Sequence, residues 1–321
     1  MKRFIMTVFL LLFSTGCVWA QRAVPTTATF VVKDDAGQVV ANVNLEGGFR
    51  DVSNAGSRDR FKGITNTNGI FVVEGNAVTG VGGRFWKDGY YETITSAPID
   101  YEKKESMSHW DVEIPVVLKR IRNQIPMYVK TVENIEMRKK SDDKMGKYVL
   151  NSVVGYDLVK GDYTAPYGKG EVADMEFKWK MTIYKKDKYG MADDYDTLCE
   201  IRMPNALDGI CRGKPDGVRG NGSAFISDYN APEDGYQQLI SLYRNVRGSK
   251  AESNDDQHYL YYFRIRTKTD GTGKITSALY GKTYGQINDR FTYYLNPTPN
   301  DRNVEEDRNQ NLFPGKNKKD K

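Results

Sequence analysis

The sequence predicts an all-β protein, and three observations carry that expectation. Its 321 residues include 30 glycines and 21 tyrosines, a composition that suits tight turns and aromatic packing across strands. Apolar and polar residues alternate in short runs along the chain, most clearly over residues 172–184. No sustained helical period competes with that alternation. The 39% apolar content, on a chain of this length, is enough for two domains with their own cores.

The leading segment reads as a signal peptide, residues 1–20. Lys2 and Arg3 give a basic start, residues 4–13 form an apolar run, and Val18-Trp19-Ala20 gives the small-x-small pattern cut before Gln21. Ser14-Thr15-Gly16-Cys17 offers a second route, lipidation at Cys17, although Ser14 stands where bacterial lipoprotein signals carry Leu. Either route implies an exported chain, in the periplasm, at the cell surface or outside the cell. After cleavage no apolar run is long enough for a transmembrane span, so the membrane contact left open is a lipid anchor.

The first domain is expected over residues 25–120. Phe30-Val31-Val32-Lys33, the turn Asp34-Asp35-Ala36-Gly37 and the run 39–45 read as strand, turn, strand, with Val39, Ala41, Val43 and Leu45 on one face. Residues 47–60 are rich in Gly, Ser and Asp and read as a surface loop. Asn68-Gly69 marks a hairpin between residues 61–64 and 70–73, because both residues tolerate positive φ. Lys87-Asp88-Gly89 is a turn in which Gly follows Asp. The run 112–119 closes the series, with Pro115 suited to a sheet edge.

This order of pieces resembles the carboxypeptidase regulatory-like domain, a small transthyretin-like β-sandwich. The residues that carry the resemblance are 34–45 for the opening, Thr65-Asn66-Thr67-Asn68-Gly69-Ile70-Phe71 for the turn, Lys87-Asp88-Gly89-Tyr90-Tyr91, and Val116-Val117-Leu118. Asn66 departs from the family, which usually has aspartate after that threonine. The resemblance implies a structural or adhesive module without catalytic residues of its own.

A charge-dense stretch, 138–147, follows the boundary near residue 121 and reads as an exposed loop. The second domain, 121–305, is expected to be a larger antiparallel sandwich or jelly roll. Its strands are placed at 125–132, 172–184, 259–267, 275–280 and 291–295, with Thr269-Asp270-Gly271 as a hairpin turn. Residues 236–243 fit a helical period and, less well, a strand. Residues 198–203, the turn Pro204-Asn205-Ala206 and Ile210-Cys211 read as a hairpin that sets Cys199 opposite Cys211. A disulfide or two buried thiols both satisfy that spacing.

Composition narrows the chemistry. Losing the leader changes 47 basic residues to 45 against 42 acids, and four lysines in 316–321 supply the remaining excess. The tail 306–321 is expected to be basic and disordered, and the nearly neutral body has no field to attract nucleic acid. Only His109 and His258 are present, with no Cys/His cluster, so neither a zinc site nor any other metal or cofactor is expected. Gly281-Lys282-Thr283 fails as a phosphate loop because Thr276 occupies the place of its first glycine. Asp193-Asp194-Tyr195-Asp196 lacks the oxygen spacing of a calcium loop. Asp162, Asp174 and Asp301 are candidate acids by type alone.

Binding surfaces are easier to place than catalysis. Tyr261-Tyr262 and Tyr293-Tyr294 point to opposite faces of a strand, so some rings are expected to be exposed. Tyr262, Arg264 and Arg266 share a face by period two and form the candidate ligand-binding row; a solvated sheet face is the alternative. The function these observations favour is a non-enzymatic envelope protein that binds a cell-surface glycan or an envelope protein, or that is structural. A carbohydrate-active hydrolase with a carboxylate pair in the second domain is its rival.

Overall fold

The computed structural model describes residues 22–50, 57–104, 106–133, 147–149, 153–218, 221–254, 260–287 and 290–313. The leader with Cys17, most of the charge-dense stretch, His258 and the lysine-rich end lie outside these residues. The protein is almost entirely β, and the one helix among the described residues is the four-residue α1 (Tyr101–Lys104). No described helix is long and apolar enough to cross a membrane. Two compact units divide the chain. One holds the described residues up to Lys33, with Gly37–Phe85 and Thr95–Val116; the other holds Asp34–Ala36, Trp86–Ile94 and everything from Val117.

The first unit is built from β1 (Val24–Asp34), β2 (Asn44–Arg50), β3 (Ser57–Ile64), β4 (Ile70–Ala77), β5 (Gly80–Trp86), β6 (Thr93–Pro98) and β7 (Trp110–Leu118). One sheet has the order β4-β1-β7 and the other runs β3-β2-β5-β6. Alternate residues of β1, including Val24, Ala28, Phe30 and Val32, are buried between them. Phe30 meets Phe61 of the other sheet at 5.7 Å and Phe85 at 5.2 Å, so the two layers share one aromatic core.

Three expectations for this unit change. Asn42 takes a positive φ of 53°, which breaks the run 39–45; Val39 is exposed, Val40 is buried, and the strand starts at Asn44. Of the stretch expected as a loop, residues 47–50 and 57–60 belong to the antiparallel strands β2 and β3, while 51–56 lie outside the described residues. Its glycines serve packing: a Cβ on Gly47 would sit 2.3 Å from the Gly82 carbonyl oxygen and 2.6 Å from the Phe61 ring. The Asn68-Gly69 turn forms, with Gly69 at φ 71°, but it carries the chain from β3 in one sheet to β4 in the other.

The second unit contains β8 (Ile125–Val132), β9 (Lys147–Val149), β10 (Val154–Asp157), β11 (Asp162–Tyr163), β12 (Met175–Lys186), β13 (Ala192–Arg202), β14 (Gly209–Arg212), β15 (Gly217–Val218), β16 (Asn221–Ser223), β17 (Leu239–Arg247), β18 (Lys250–Ser253), β19 (Leu260–Thr269), β20 (Ile275–Gln286), β21 (Arg290–Leu295) and β22 (Glu306–Asn311). Its larger sheet runs β11-β10-β12-β13-β17-β18, with β9 also on β12; the second runs β14-β19-β20-β21-β8-β22. Phe177, Trp179, Cys199, Ile201 and Leu242 of the first meet Ile210, Phe263, Phe291 and Tyr293 of the second in one core. The segment 236–243, which fitted two periods, runs into the strand β17 from Leu239. The expected tail begins instead with β22, which pairs in parallel with β8 and buries Glu306.

The second sheet is covered on both faces, and this overturns the tyrosine expectation. Tyr261 and Tyr293 enter the inter-sheet core, while Tyr262 faces a second cluster with Met127, Leu260, Tyr280 and Val304. Tyr261, Tyr262 and Tyr293 are all at most 2% exposed. Adjacent rings do point in opposite directions, but each direction has its own core.

Candidate functional site

The row proposed from period two does not exist as an exposed surface. Tyr262 is fully buried, and its hydroxyl donates to the Asp228 carboxylate at 3.1 Å while accepting from the Asp228 N–H. Arg264 lies over the Tyr236 ring at 4.9 Å and donates to the Leu207 carbonyl. Between Ile265 and Lys268 the ladder is irregular, and Arg266 has a positive φ of 53°, so the alternation that put Arg266 beside Arg264 stops there.

Arg266 instead joins two buried carboxylates. Its Nη2 donates to Asp157 at 2.7 Å and to Asp174 at 3.1 Å, and its Nε donates to Asp174 at 2.9 Å. Asp157 also accepts the N–H groups of Val159, Lys160, Glu171 and Val172, and Asp174 accepts that of Leu158. Burial pushes the Asp174 carboxyl up, more than Arg266 pulls it down. Burial pushes Asp157 in the same direction, but its backbone donors together with Arg266 hold it below the usual carboxylate range. These acids are committed to holding loops on the sheet. Asp162 and Asp301 likewise accept bonds from their own turns, at Tyr163 and at Asn303.

The two cysteines are not joined. The chain leaves β13 in the larger sheet and enters β14 in the other, so the expected hairpin is a crossover between sheets. Cys199 faces the inter-sheet core, whereas Cys211 opposes Tyr262 and packs on the second cluster. A sheet therefore stands between the sulfurs. Burial pushes the Cys211 thiol up to about 11, which keeps it protonated.

An exposed row of polar side chains with a fixed tyrosine lies on the outer face of the larger sheet. Trp179, Cys199 and Leu242 align inward across β12, β13 and β17, so the neighbouring row Lys180, Leu198 and Tyr243 points outward. The next row is Thr182, Asp196, Asn245 and Glu252. Tyr184 follows at a register shift between Ile183 and Lys185, a bulge that sets its ring beside Asp196. The Tyr184 hydroxyl donates to Asp196 at 2.8 Å, Arg247 donates to the same carboxylate at 3.0 Å, and the Arg247 guanidinium lies 4.4 Å from the Tyr184 ring centre. The Asp196 bond raises the Tyr184 hydroxyl, and the Arg247 bond lowers the Asp196 carboxyl. Tyr184 remains 60% exposed in this fixed setting.

Asp193, Asp194 and Asp196 thus belong to the strand β13. Asp193 pairs with Lys185 and Asp194 accepts the Gly248 N–H. Among the described residues no His/Cys/Asp/Glu group is arranged to hold a metal ion. The alternation over 172–184 already put Lys180, Thr182 and Tyr184 on the polar side. What the sequence did not reveal is that Asp196 and Arg247 come from two other strands to hold the ring.

No family model matches the chain, and no curated protein matches it. Among solved structures, it is similar over 32% of its length to 3-chlorocatechol 1,2-dioxygenase from Rhodococcus opacus, at 14% identity and a TM-score of 0.25, and spans 61% of that enzyme. A DUF3823 family protein from Parabacteroides merdae aligns over 85% of this chain and 96% of its own, at 11% identity and a TM-score of 0.20. A protein from Bacteroides uniformis, provisionally described as carbohydrate-binding, aligns over 84% and 95%, at 7% identity and a TM-score of 0.20. Superpositions this loose carry no argument about what the chain does.

Proposed function

We propose that this is an exported, non-enzymatic β-protein of the bacterial envelope whose second unit binds glycan on the outer face of the β12, β13, β17 and β18 sheet. The observation that carries the reading is the Tyr184 ring, well exposed yet fixed by Asp196 and Arg247. A pyranose presents C–H groups on its flat faces, and the negative face of a phenol ring attracts them. Thr182 and Asn245, in the same row as Asp196, offer hydroxyl and amide groups to the sugar hydroxyls around the ring. A side chain already held in place loses little rotamer entropy on binding.

Two further parts of the reading come from the sequence. The leader supports export, with Gln21 or lipidated Cys17 as the mature start. The residues shared with carboxypeptidase regulatory-like domains support an accessory, structural role for the first unit, whose two-sheet sandwich is compatible with that family. The hydrolase reading is weaker, since Asp157 and Asp174, which meet at one guanidinium, are saturated by it and by backbone donors.

The mature chain passed over immobilised envelope polysaccharides should be retained by at least one of them, and Tyr184→Ala should lose that retention while folding normally. Retention unchanged by Tyr184→Ala, or none on any polysaccharide, counts against the proposal.

A further inference from the structure

We infer that the glycan taken by this face is anionic, a polysaccharide carrying carboxylates such as uronates, with Lys180 as the residue that reads its charge. The inference rests on the glycan reading above and adds the chemical class.

Charge bookkeeping across the face carries it. Each carboxylate there already has a hydrogen-bonding or ionic partner: Glu176 faces Arg202 at 3.8 Å, Glu200 pairs with Lys178 at 3.0 Å and Asp196 with Arg247, while Asp194 accepts the Gly248 N–H and Glu252 accepts from the Tyr243 hydroxyl at 3.3 Å. Lys180 has no such partner. Its cross-strand neighbours are Val149 on β9 and Leu198 on β13, with Tyr243 beyond Leu198 on β17, so no acid stands opposite, and among the described residues no carboxylate pairs with it. Lys250, next to Arg247 at the sheet edge, also lacks an acid partner among the described residues.

The position of Lys180 matters as much as its charge. Cross-strand neighbours stand about 5 Å apart and successive same-face residues about 7 Å apart, which is the scale of one sugar ring. An exposed ammonium flanked by Leu198 and Tyr243, two residues along from Thr182 and four from Tyr184, is therefore within one or two sugar units of the fixed ring. An uncharged glycan would leave this cation with water alone; a uronate gives it a partner without displacing any existing ion pair. A phosphate-bearing glycan would satisfy the ammonium equally and is an outcome that the assay separates.

The test titrates the exported chain against polygalacturonate and against the same polymer after reduction of its carboxyl groups, by calorimetry at low and moderate salt. Wild type should prefer the acidic polymer, and the preference should shrink as salt rises. Lys180→Ala should weaken binding to the acidic polymer by about three- to five-fold, the scale of one exposed charge pair, and leave the reduced polymer unaffected. Lys180→Arg should restore the preference. Because Lys180 is exposed, its replacement should leave the unfolding midpoint in place. Equal affinity for the two polymers, no binding to either, or a preference untouched by Lys180→Ala overturns the inference. Binding to the reduced polymer alone would do so too, while leaving the glycan reading intact. If a phosphorylated glycan competes and polygalacturonate does not, the carboxylate assignment fails.

Discussion

Lys282 shows how far a residue's role departs from its sequence context. In the chain it sits in Gly281-Lys282-Thr283, a failed phosphate motif; in the fold it is fully buried, opposite Tyr262 and Tyr294 in the ladder. Its ammonium donates to Glu306 at 2.6 Å and to the Ser227 hydroxyl at 2.8 Å, with the Phe225 ring centre 4.2 Å away. Burial pushes its pKa down to about 8, against the pull of Glu306. Between pH 8 and about 10.5 the unfolded chain holds this proton more tightly than the folded one, so the contribution of Lys282 to stability should rise with pH across that window. Denaturant titrations at pH 7.5 and 10 should show the rise in wild type relative to Lys282→Met. At pH 7.5 that variant should lose about 3 kcal/mol, because the buried Glu306 carboxylate keeps only Arg308, at 3.4 Å, as a cation partner, and adding Glu306→Leu should recover most of it. A single variant as stable as wild type would mean the pair is not closed in solution. Arg266→Ala should cost a similar amount, about 3–5 kcal/mol, because it leaves Asp157 and Asp174 buried without their shared cation. Neither role was legible in the sequence, since each depends on partners far away along the chain.

At the scale of elements, period-two alternation was a good guide where a strand has one buried face and a poor one elsewhere. It found the inward set Met175, Phe177 and Trp179 of β12. It failed on β19, where both faces are covered and a bulge interrupts the count before Arg266. Turn chemistry behaved in the same way. Asn68-Gly69 and Pro204-Asn205-Ala206 do turn the chain, but each sends it into a different sheet, and local sequence cannot say which sheet a strand joins. That crossover separates Cys199 from Cys211. Gly47, expected in a loop but placed in β2, gives a direct check. Gly47→Ala should destabilise the protein by about 1–3 kcal/mol in chemical denaturation, since the added methyl meets the Gly82 carbonyl and the Phe61 ring. A neutral effect would show that β2 and β5 are not packed as closely as described.

For the whole molecule, the all-β class was legible from composition and pattern, and the proposed binding face was half legible: its tyrosine and lysine lay on the polar side of the best strand in the chain. The partners that fix them come from β13 and β17, and only the strand order brings those together. The absence of a Cys199–Cys211 bridge has a consequence for the chain as a unit. Denatured without reductant, the mature protein should take up two alkyl groups, and reductant should leave its melting temperature unchanged. Intact mass on the same sample reports whether the chain begins at Gln21 or at a lipidated Cys17. The measurement closest to the central claim is hydrogen exchange on the mature chain with and without a retained polysaccharide. Binding on the outer face predicts slowed exchange confined to β12, β13, β17 and β18 around Tyr184 and Asp196, and no slowing there in Tyr184→Ala. Protection located elsewhere in the chain, with those strands unchanged, would contradict it.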